Sequence, residues 1–220
     1  MTSYAFSFCG AKLLALGAGA LFWPAEQLLV VSDLHLGKSE RMARRSRQLL
    51  PPFDTRDTLA RLDDVIAAHN PACVVCLGDS FDDLDAGRAL PEAEVMTLSR
   101  LMAGRRWIWI EGNHDPGPLA FGGTHLAELT TASLTFRHIA QEAANGEVSG
   151  HYHPKTSVNL RGRVVTRPSF LVSDTRLILP AFGTYTGGLR SADSTLTGLM
   201  GPDAYAILTG PLPCAVPLRV

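Results

Sequence analysis

Five short segments of the chain carry side chains that could bind divalent metal ions. They offer carboxylate oxygens, one amide oxygen and imidazole nitrogens, and they contain five of the seven histidines. The segments are Asp33-Leu34-His35, Gly78-Asp79, Gly112-Asn113-His114-Asp115, His138 and Gly150-His151-Tyr152-His153. This mixture of oxygen and nitrogen donors suits two divalent ions that share one bridging carboxylate.

The first three segments each follow an apolar run that predicts a buried strand. These runs cover residues 28–32, 73–77 and 107–110, and each ends just before the polar segment. Loops at strand ends are where α/β sheets place functional sites, so three strand ends are predicted to deliver polar groups to one place.

Two segments place a histidine two residues after another ligand. Side chains alternate along a strand with a period of two, which predicts that Asp33 and His35 point to the same side. This is the geometry for two ligands on one metal ion. The same reasoning predicts a shared metal ion for His151 and His153.

The order of the segments resembles that of the calcineurin-like metallophosphoesterases. That family carries D-x-H, G-D, G-N-H-D, a lone His and G-H-x-H in this order, and the match runs from Asp33 to His153. The resemblance implies a metal-dependent phosphoesterase with a four-layer α/β/β/α sandwich of two mixed sheets. It also implies two divalent metal ions, with Mn²⁺ as the first expectation, although Fe, Zn or Co suit the same ligands.

The resemblance assigns a role to each polar residue. Asp79 would bridge both ions, His114 would protonate the leaving alkoxide, and Asp115 would orient or charge His114. The expected ligands of the first ion are Asp33, His35 and His153. The expected ligands of the second ion are Asn113, His138 and His151.

Some of these residues have a competing interpretation. His125 competes with His138 for the position of the lone histidine, although no strand pattern leads from its neighbours into a site. His114 could instead be a structural residue held by hydrogen bonds. An acidic residue of the loop 81–87 could hold a metal-bound water, but a solvated loop is the expectation.

Further strings narrow the resemblance to the PdeM family of ligase-associated DNA damage response endonucleases. This implies a phosphodiesterase that cuts DNA or RNA during DNA repair, with a DNA ligase or helicase as partner. The alternatives are a small-molecule or cyclic-nucleotide phosphoesterase and a weakly active adaptor in a repair complex. The strings lie at residues 49–59, 78–81, 179–183 and 186–189.

The rest of the chain predicts the elements that position these segments. Strand–helix alternation comes first and mostly strands follow, which independently suggests two packed mixed sheets with helices outside. The predicted elements are an edge hairpin within residues 13–23, helices at 39–50, 54–68 and 91–102, a strand at 134–137, and short strands of a second sheet within 161–179. Asp54 or Thr55 is the expected cap of the helix at 54–68.

The first predicted helix carries a cationic face. Its members recur at spacings of three and four residues, and they are Lys38, Arg41, Arg44 and Arg45. Arg47 follows in the same stretch. The helix begins shortly after His35, so we expect this face to contact nucleic-acid phosphates; the alternative is a solvated helix face.

Composition bounds the class of protein. A length of 220 residues, with 46% apolar and 19% charged residues, predicts one globular domain spanning residues 1–220. The formal net charge of −1 provides no global basic field, so nucleic-acid binding would need a local patch.

Cys73-x-x-Cys76 lies in an apolar strand pattern and is expected to be a half-buried core pair. Without a disulfide framework or a transmembrane segment, a cytoplasmic protein with no membrane partner is expected. The sequence carries no signal of oligomeric state.

Overall fold

A computed structural model describes residues 2–46, 49–142 and 144–218. Within these ranges the strands form one seven-stranded sheet and one eight-stranded sheet. The helices are α1 (Lys38–Ser46), α2 (Asp54–His69), α3 (Leu84–Arg88), α4 (Glu92–Met102) and α5 (Ser194–Met200), with a 3₁₀ turn at Pro24–Glu26.

The first sheet supplies three of the strand ends that the polar segments follow. Its strands, in spatial order, are β1 (Ser3–Phe8), β2 (Ala11–Leu16), β3 (Leu21–Trp23), β4 (Leu28–Val31), β5 (Cys73–Leu77), β6 (Arg106–Ile110) and β7 (Thr124–Leu126). Neighbours from β1 to β4 are antiparallel, and neighbours from β4 to β7 are parallel. Because β4, β5 and β6 run in the same direction, their carboxyl ends lie on one edge of the sheet.

The second sheet is also mixed. Its strands are β8 (Glu128–Thr131), β9 (Leu134–Arg137), β10 (Glu147–Ser149), β11 (Lys155–Leu160), β12 (Arg163–Val172), β13 (Arg176–Ile178), β14 (Tyr205–Leu208) and β15 (Cys214–Pro217). Their spatial order is β15-β14-β12-β13-β10-β9-β8, and β11 pairs with β12 outside this path. Strands β9, β10 and β13 are parallel to one another.

A large apolar cluster lies between the two sheets. Val30 and Val75 of the first sheet belong to it, together with Phe136, Phe170 and Leu177 of the second sheet. All five are at most 1% exposed. Alternate side chains of each strand therefore form the inter-sheet core, as the period of two requires.

Two further apolar clusters cover the outer faces of the sheets. Leu62 of α2 and Leu98 of α4 share one cluster with Cys76 of β5. Leu196 of α5 shares the other with Ile178 of β13. The resulting order of helices, sheet, sheet and helix confirms the predicted α/β/β/α sandwich.

Cys73 and Cys76 are both free and buried. Cys73 belongs to the inter-sheet cluster and Cys76 to the cluster under the helices. Residues three apart in a strand point to opposite faces, so the two thiols do not face a common point. The interpretation as core residues is confirmed, although both are more deeply buried than predicted.

The helix predicted at residues 39–50 is described from Lys38 to Ser46, and residues 49 and 50 are not helical. Arg47 lies outside the described residues. Asp54 was expected to cap its own helix, but its carboxylate accepts the backbone N–H of Ser39 at 3.0 Å and the Ser39 hydroxyl at 2.6 Å. The start of α2 therefore stabilises the start of α1.

The N-terminal segment contains one strand more than the predicted hairpin. Strand β1 pairs along its whole length with β2 and forms the outer edge of the first sheet. The hairpin within residues 13–23 is therefore not itself the sheet edge. Across the part of the chain that the structure describes, no helix has the length and apolar character needed to cross a bilayer.

A buried ion pair joins three elements on the second-sheet side of the fold. Arg176 of β13 donates from Nε to Glu147 of β10 at 2.8 Å, and both side chains are at most 5% exposed. Arg176 Nη1 also donates to the carbonyl of Leu199 in α5 at 2.7 Å. Removing the guanidinium would take the ion-pair partner at 2.8 Å from the buried Glu147 carboxylate, which keeps the Gln141 N–H at 2.9 Å and Arg137 at 3.6 Å.

We therefore predict that Arg176→Met lowers the free energy of unfolding by about 3–5 kcal/mol, the usual cost of leaving a buried charge unpaired. Urea denaturation measures this quantity. The control is Arg100→Met, because Arg100 forms an exposed pair with Asp63. The control should lose less than about 1 kcal/mol. Equal, small losses in both variants would contradict the prediction.

Candidate metal centre

The five polar segments meet where the ends of the two sheets come together. Asp33, Asp79 and Asn113 follow β4, β5 and β6 of the first sheet, and His138 and His151 follow β9 and β10 of the second. Residues that are far apart in the chain are therefore adjacent because parallel strands end on the same side.

The three residues expected to bind the first ion form one cluster. Ligand atoms of Asp33, His35 and His153 all lie within 4.8 Å of one another. Nε2 of His153 lies 3.1 Å from Oδ1 of Asp33. One carboxylate oxygen and two imidazole nitrogens therefore face a common point.

The residues expected to bind the second ion form another cluster. Ligand atoms of Asp79, His138 and His151 lie within 4.8 Å of one another. Nε2 of His138 lies 3.4 Å from Oδ2 of Asp79, 3.2 Å from Nδ1 of His151 and 3.0 Å from Oδ1 of Asn113. The amide oxygen of Asn113 thus completes the predicted set.

Asp79 connects the two clusters. Its Oδ2 lies 3.9 Å from Nε2 of His35, which belongs to the first cluster. His35, Asp79 and His114 also have ligand atoms within 4.8 Å of one another. Asp79 therefore occupies the position that a bridging carboxylate requires.

The protonation and burial of the histidines fit metal binding. Nε2 of His35 is buried and makes no hydrogen bond within the described residues, and Nε2 of His153, also buried, faces Oδ1 of Asp33 at 3.1 Å. Nδ1 of His138 donates to the carbonyl of Leu77 at 3.1 Å, which leaves its Nε2 available as a ligand. Buried polar atoms normally have a partner, and a divalent ion would provide one here. The donor set present therefore fits two divalent ions.

The clusters are electrostatically coupled. Burial alone would raise the pKa of Asp33 and of Asp79. The neighbouring His153 lowers the pKa of Asp33, and His138 lowers that of Asp79, so that both pKa values lie below normal. Burial lowers the pKa of His138, yet Asp79 and Asp33 raise it to about 8. Burial and His138 lower the pKa of His151. Both carboxylates are therefore ionised at neutral pH, as metal ligands must be.

Five of the candidate ligands have a left-handed backbone. The φ angle is 52° at Asp33, 46° at His35, 46° at Asp79, 69° at His151 and 47° at His153. Non-glycine residues rarely adopt this conformation, which costs on the order of 1–3 kcal/mol each and is typical of functional sites. The period of two therefore does not apply: Asp33 and His35 share a cluster, but His151 and His153 enter different clusters. The prediction of one shared metal ion for His151 and His153 is wrong.

Two motif glycines provide the space for this packing. A Cβ on Gly78, where φ is 74°, would collide with the ring of His138. A Cβ on Gly150 would collide with the side chain of Ser32 and the carboxylate of Asp33. These glycines allow ligand side chains to cross close to the backbone of a neighbouring loop.

His114 is oriented by main-chain and carboxylate contacts. Its backbone N–H donates to Oδ1 of Asp79 at 2.8 Å. Its Nδ1 lies 2.8 Å from the carbonyl oxygen of Asp82, which can only accept, so Nδ1 carries the proton. The other ring nitrogen, Nε2, therefore remains available to take part in a reaction or to carry a proton that is transferred.

Asp115 does not orient His114 in the way the sequence suggested. Its carboxylate accepts the backbone N–H groups of Ser80 at 2.8 Å, Phe81 at 3.1 Å and Gly112 at 3.2 Å. Burial raises the pKa of Asp115 to about 7, with the backbone donors opposing the shift. Asp115 therefore ties two ligand-bearing loops together instead of contacting the His114 ring.

Asp82 belongs to the acidic loop for which the sequence favoured a solvated position over a role at the metal site. The acidic loop was expected to be solvated, but Asp82 is fully buried. Its Oδ1 lies 2.8 Å from Nδ1 of His35, and its Oδ2 accepts from Nη1 of Arg41 at 3.0 Å. Burial raises its pKa, but His35 and Lys38 outweigh this and hold the pKa at about 2. The only signal in the sequence was its closeness to Asp79.

The cationic face of α1 is paired with acidic residues. Arg44 lies 3.0 Å from Glu40 and 2.9 Å from Asp83, and Arg45 lies 3.2 Å from Asp83. Lys38 and Arg41 both contact Asp82. Carboxylates therefore offset much of the positive charge on which the nucleic-acid interpretation of this face depends. That interpretation stays a prediction.

A cleft of about 470 Å³ opens beside the clusters. Its lining includes Asn113 and His114 and, on the side of α1 and α3, both cationic and acidic side chains: Arg41, Arg45, Arg88, Asp82, Asp83 and Asp85. Its size is within the range of small-molecule binding sites. The cleft therefore reaches the candidate centre at Asn113 and His114.

Two histidines lie outside the centre. His125 belongs to β7, which the sequence pattern did not predict, and its ring stacks on Trp109 at a centroid distance of 6.3 Å. His69, at the end of α2, packs against Phe22 at 4.7 Å. The structure thus brings His138, and not His125, to the candidate ligands.

Known proteins resemble this chain over most of its length. The family model for calcineurin-like phosphoesterase matches residues 27–174, which include every candidate ligand. The crystal structure of Pseudomonas putida nuclease MPE is 27% identical with a TM-score of 0.76, covering 97% of this chain and 100% of that chain. A conserved Streptococcus pneumoniae TIGR4 protein, described as a predicted phosphoesterase, is 16% identical with a TM-score of 0.33, covering 86% and 96%. No curated protein sequence matches significantly.

The position of Asp79 between the clusters predicts that Asp79→Asn weakens the binding of both ions. The loss of affinity should exceed the roughly 10–100-fold caused by changing a residue that only supports a ligand. Elemental analysis and titration calorimetry measure it. Asp85→Asn is the control, since it removes the same charge from an exposed side chain. Retention of two ions per chain by Asp79→Asn would refute the bridging role.

The contact between Asp82 and His35 predicts a selective effect of Asp82→Asn. We expect about 10–100-fold weaker binding of the ion held by Asp33, His35 and His153, because His35 loses the carboxylate that fixes its ring. The other ion should remain, so calorimetry should show one weakened site. Asp83→Asn is the matched control, because Asp83 also pairs with α1 without touching His35. Equal behaviour of the two variants would assign Asp82 to the support of α1 alone.

Proposed function

Because the chain belongs to the calcineurin-like phosphoesterase family and is a metal-dependent phosphoester hydrolase, we propose that its substrate is a phosphodiester of nucleic acid. The observation that carries this proposal is the likeness to Pseudomonas putida nuclease MPE across 97% of this chain. That protein is a nuclease, and its whole length is covered. The DNA-repair setting, with a DNA ligase or helicase as partner, and the cytoplasmic location stay predictions from the sequence.

The two clusters would hold the metal ions. We assign Asp33, His35 and His153 to one ion and Asn113, His138 and His151 to the other, with Asp79 shared. When bound, two divalent ions supply Lewis-acid charge to the phosphate and lower the pKa of water. Mn²⁺ is the proposed metal, and Fe, Zn and Co also accept imidazole and carboxylate ligands.

The protein's own groups would then position the substrate and handle the proton. The Asp82 carbonyl fixes the His114 ring with its proton on Nδ1, so a protonated His114 can donate from Nε2 to a leaving alkoxide. The Asp79 carboxylate accepts the His114 backbone N–H and thereby holds this loop against the shared ligand. Asp115 is assigned a positioning role, because its carboxylate holds the loops of Asp79 and Asn113 together.

The experiment that tests the proposal compares substrates with each candidate metal ion added separately. The panel contains single-stranded and duplex DNA, RNA, cyclic nucleotides, bis-p-nitrophenyl phosphate and p-nitrophenyl phosphate. Nuclease function predicts metal-dependent cleavage of DNA or RNA and of the nitrophenyl diester, with weak turnover of the monoester. Turnover of cyclic nucleotides or monoesters without nucleic-acid cleavage would favour a small-molecule phosphoesterase. No turnover of any substrate would favour an adaptor.

The same assay tests the proton donor. We predict that His114→Gln keeps both ions but lowers the rate on nucleic acid by about 10²–10⁴-fold, the usual contribution of a general acid. The rate on bis-p-nitrophenyl phosphate should fall much less, because a nitrophenolate leaves without a proton. An equal loss on both substrates would exclude the acid role, and loss of metal would assign His114 to metal binding instead.

A further inference from the structure

A two-stranded ribbon projects from the second sheet beside the metal centre. Strand β12 pairs with β14 and β13 only from Ser169 onward. Its first half pairs with β11 alone, from Leu160↔Arg163 to Lys155↔Pro168. About six residues at 3.3 Å each make the ribbon roughly 20 Å long. This ribbon, residues 155–168, is called the β11–β12 ribbon below.

The ribbon begins at the candidate ligands. Lys155 comes two residues after His153, and the Ser169 N–H donates to the carbonyl of Pro154 at 2.9 Å. Lys155 is half-buried and donates from Nζ to the carbonyl of Thr186 at 3.1 Å. The base of the ribbon is thus fixed next to the centre, while residues 159–164 at its tip are exposed.

The ribbon concentrates positive charge in a chain with little net charge. Residues 154–173 contain four cations and no acidic residue, whereas the whole chain has a formal net charge of −1. The four cations are Lys155, Arg161, Arg163 and Arg167. Arg163 and Arg167 lie on one face, because residues four apart in a strand point the same way.

These cations differ from those of α1 in their surroundings. Arg161, Arg163 and Arg167 are exposed, and no carboxylate of the described residues lies within 4.0 Å of them. By contrast, each predicted cation of α1 has a carboxylate within that distance. Cations without an internal partner remain available to an anionic ligand at no cost of breaking an ion pair.

We propose that the β11–β12 ribbon is the surface that binds the sugar–phosphate backbone of the DNA substrate and directs it toward the metal centre. This rests on the proposed nuclease function. Arg163 and Arg167 contact phosphates on one face, and Arg161 contacts the backbone at the tip. Phosphate contacts carry no base-sequence information, so the contribution of the ribbon to DNA binding is independent of the DNA sequence. The ribbon contains no aromatic residue on which bases could stack.

The test is the salt dependence of DNA binding, measured by fluorescence anisotropy with a chelator present so that no cleavage occurs. The probes are a labelled single strand and the matching duplex. Relative to wild type, Arg163→Gln with Arg167→Gln should flatten the log–log salt slope by about 1.4 on the single strand and about 1.8 on the duplex, for two lost contacts. Turnover of bis-p-nitrophenyl phosphate should not change, because this substrate is too small to reach the ribbon.

Two matched variants separate the contact from other effects. Lys12→Gln with Arg106→Gln removes the same charge at the opposite end of the first sheet, where β2 and β6 begin, and should leave the slope unchanged. Arg163→Lys with Arg167→Lys keeps the charge and should restore the slope, which excludes damage to the ribbon. An unchanged slope in the glutamine variant, or an equal change in the Lys12/Arg106 control, would overturn the ribbon assignment while nuclease function stands. Wild-type protein that neither binds nor cleaves DNA would overturn both.

Discussion

The site depends on burying several carboxylates together with the groups that neutralise them. Asp33, Asp79 and Asp82 are each at most 3% exposed. A buried carboxylate without a partner would cost more than the stability of an ordinary domain can tolerate. Here each one faces an imidazole: His153 lies 3.1 Å from Asp33, His138 lies 3.4 Å from Asp79, and His35 lies 2.8 Å from Asp82. His138 and His153 follow strands of the second sheet, whereas the carboxylates follow strands of the first. The pairs formed by Asp33 and Asp79 therefore require the two sheets to be packed in one register, whereas the pair of Asp82 with His35 joins two loops of the first sheet.

This requirement explains why an apolar core and a strained polar rim occur side by side. Phe136 and Phe170 are nearly completely buried between the sheets, and burial of such side chains is the main favourable contribution to folding. The strands fix where each loop begins, but the loops must turn sharply to bring their ligands to a common point. Left-handed φ angles at Asp33, Asp79 and His153 are the local result. The core supplies the free energy that maintains these unfavourable conformations, which place the donor atoms before any ion arrives.

The sequence predicted the centre better than its surroundings because the two depend on interactions of different range. The ends of β4, β5 and β6 follow from apolar runs of four or five residues, and the polar motif sits directly after each run. The burial of Asp82 depends on His35 and Arg41, which lie more than forty residues earlier in the chain. No local pattern around Asp82 distinguishes it from the exposed Asp85. Likewise, histidine has no pattern that signals a left-handed backbone, so the period of two predicted one shared ion for His151 and His153, and only the family resemblance implied that they belong to different ions. The layer order, in contrast, followed from the simple succession of strands and helices.

The surroundings of Asp82 also change the meaning of the positive charge on α1. Lys38 and Arg41 stabilise the ionised Asp82, whose carboxylate in turn contacts the ring of His35. Charge on the helix therefore acts on the candidate ligand through Asp82, even though from the sequence it suggested a surface for substrate. Arg44 and Arg45 also pair with a carboxylate of this loop, that of Asp83. The Asp83 carboxylate in turn accepts the Ala86 N–H at the start of α3. A row of cationic side chains indicates a binding surface only if acidic residues of neighbouring elements do not already pair with it. The arginines of the β11–β12 ribbon have no carboxylate within 4.0 Å among the described residues, whereas the cations of α1 are paired with Asp82 and Asp83.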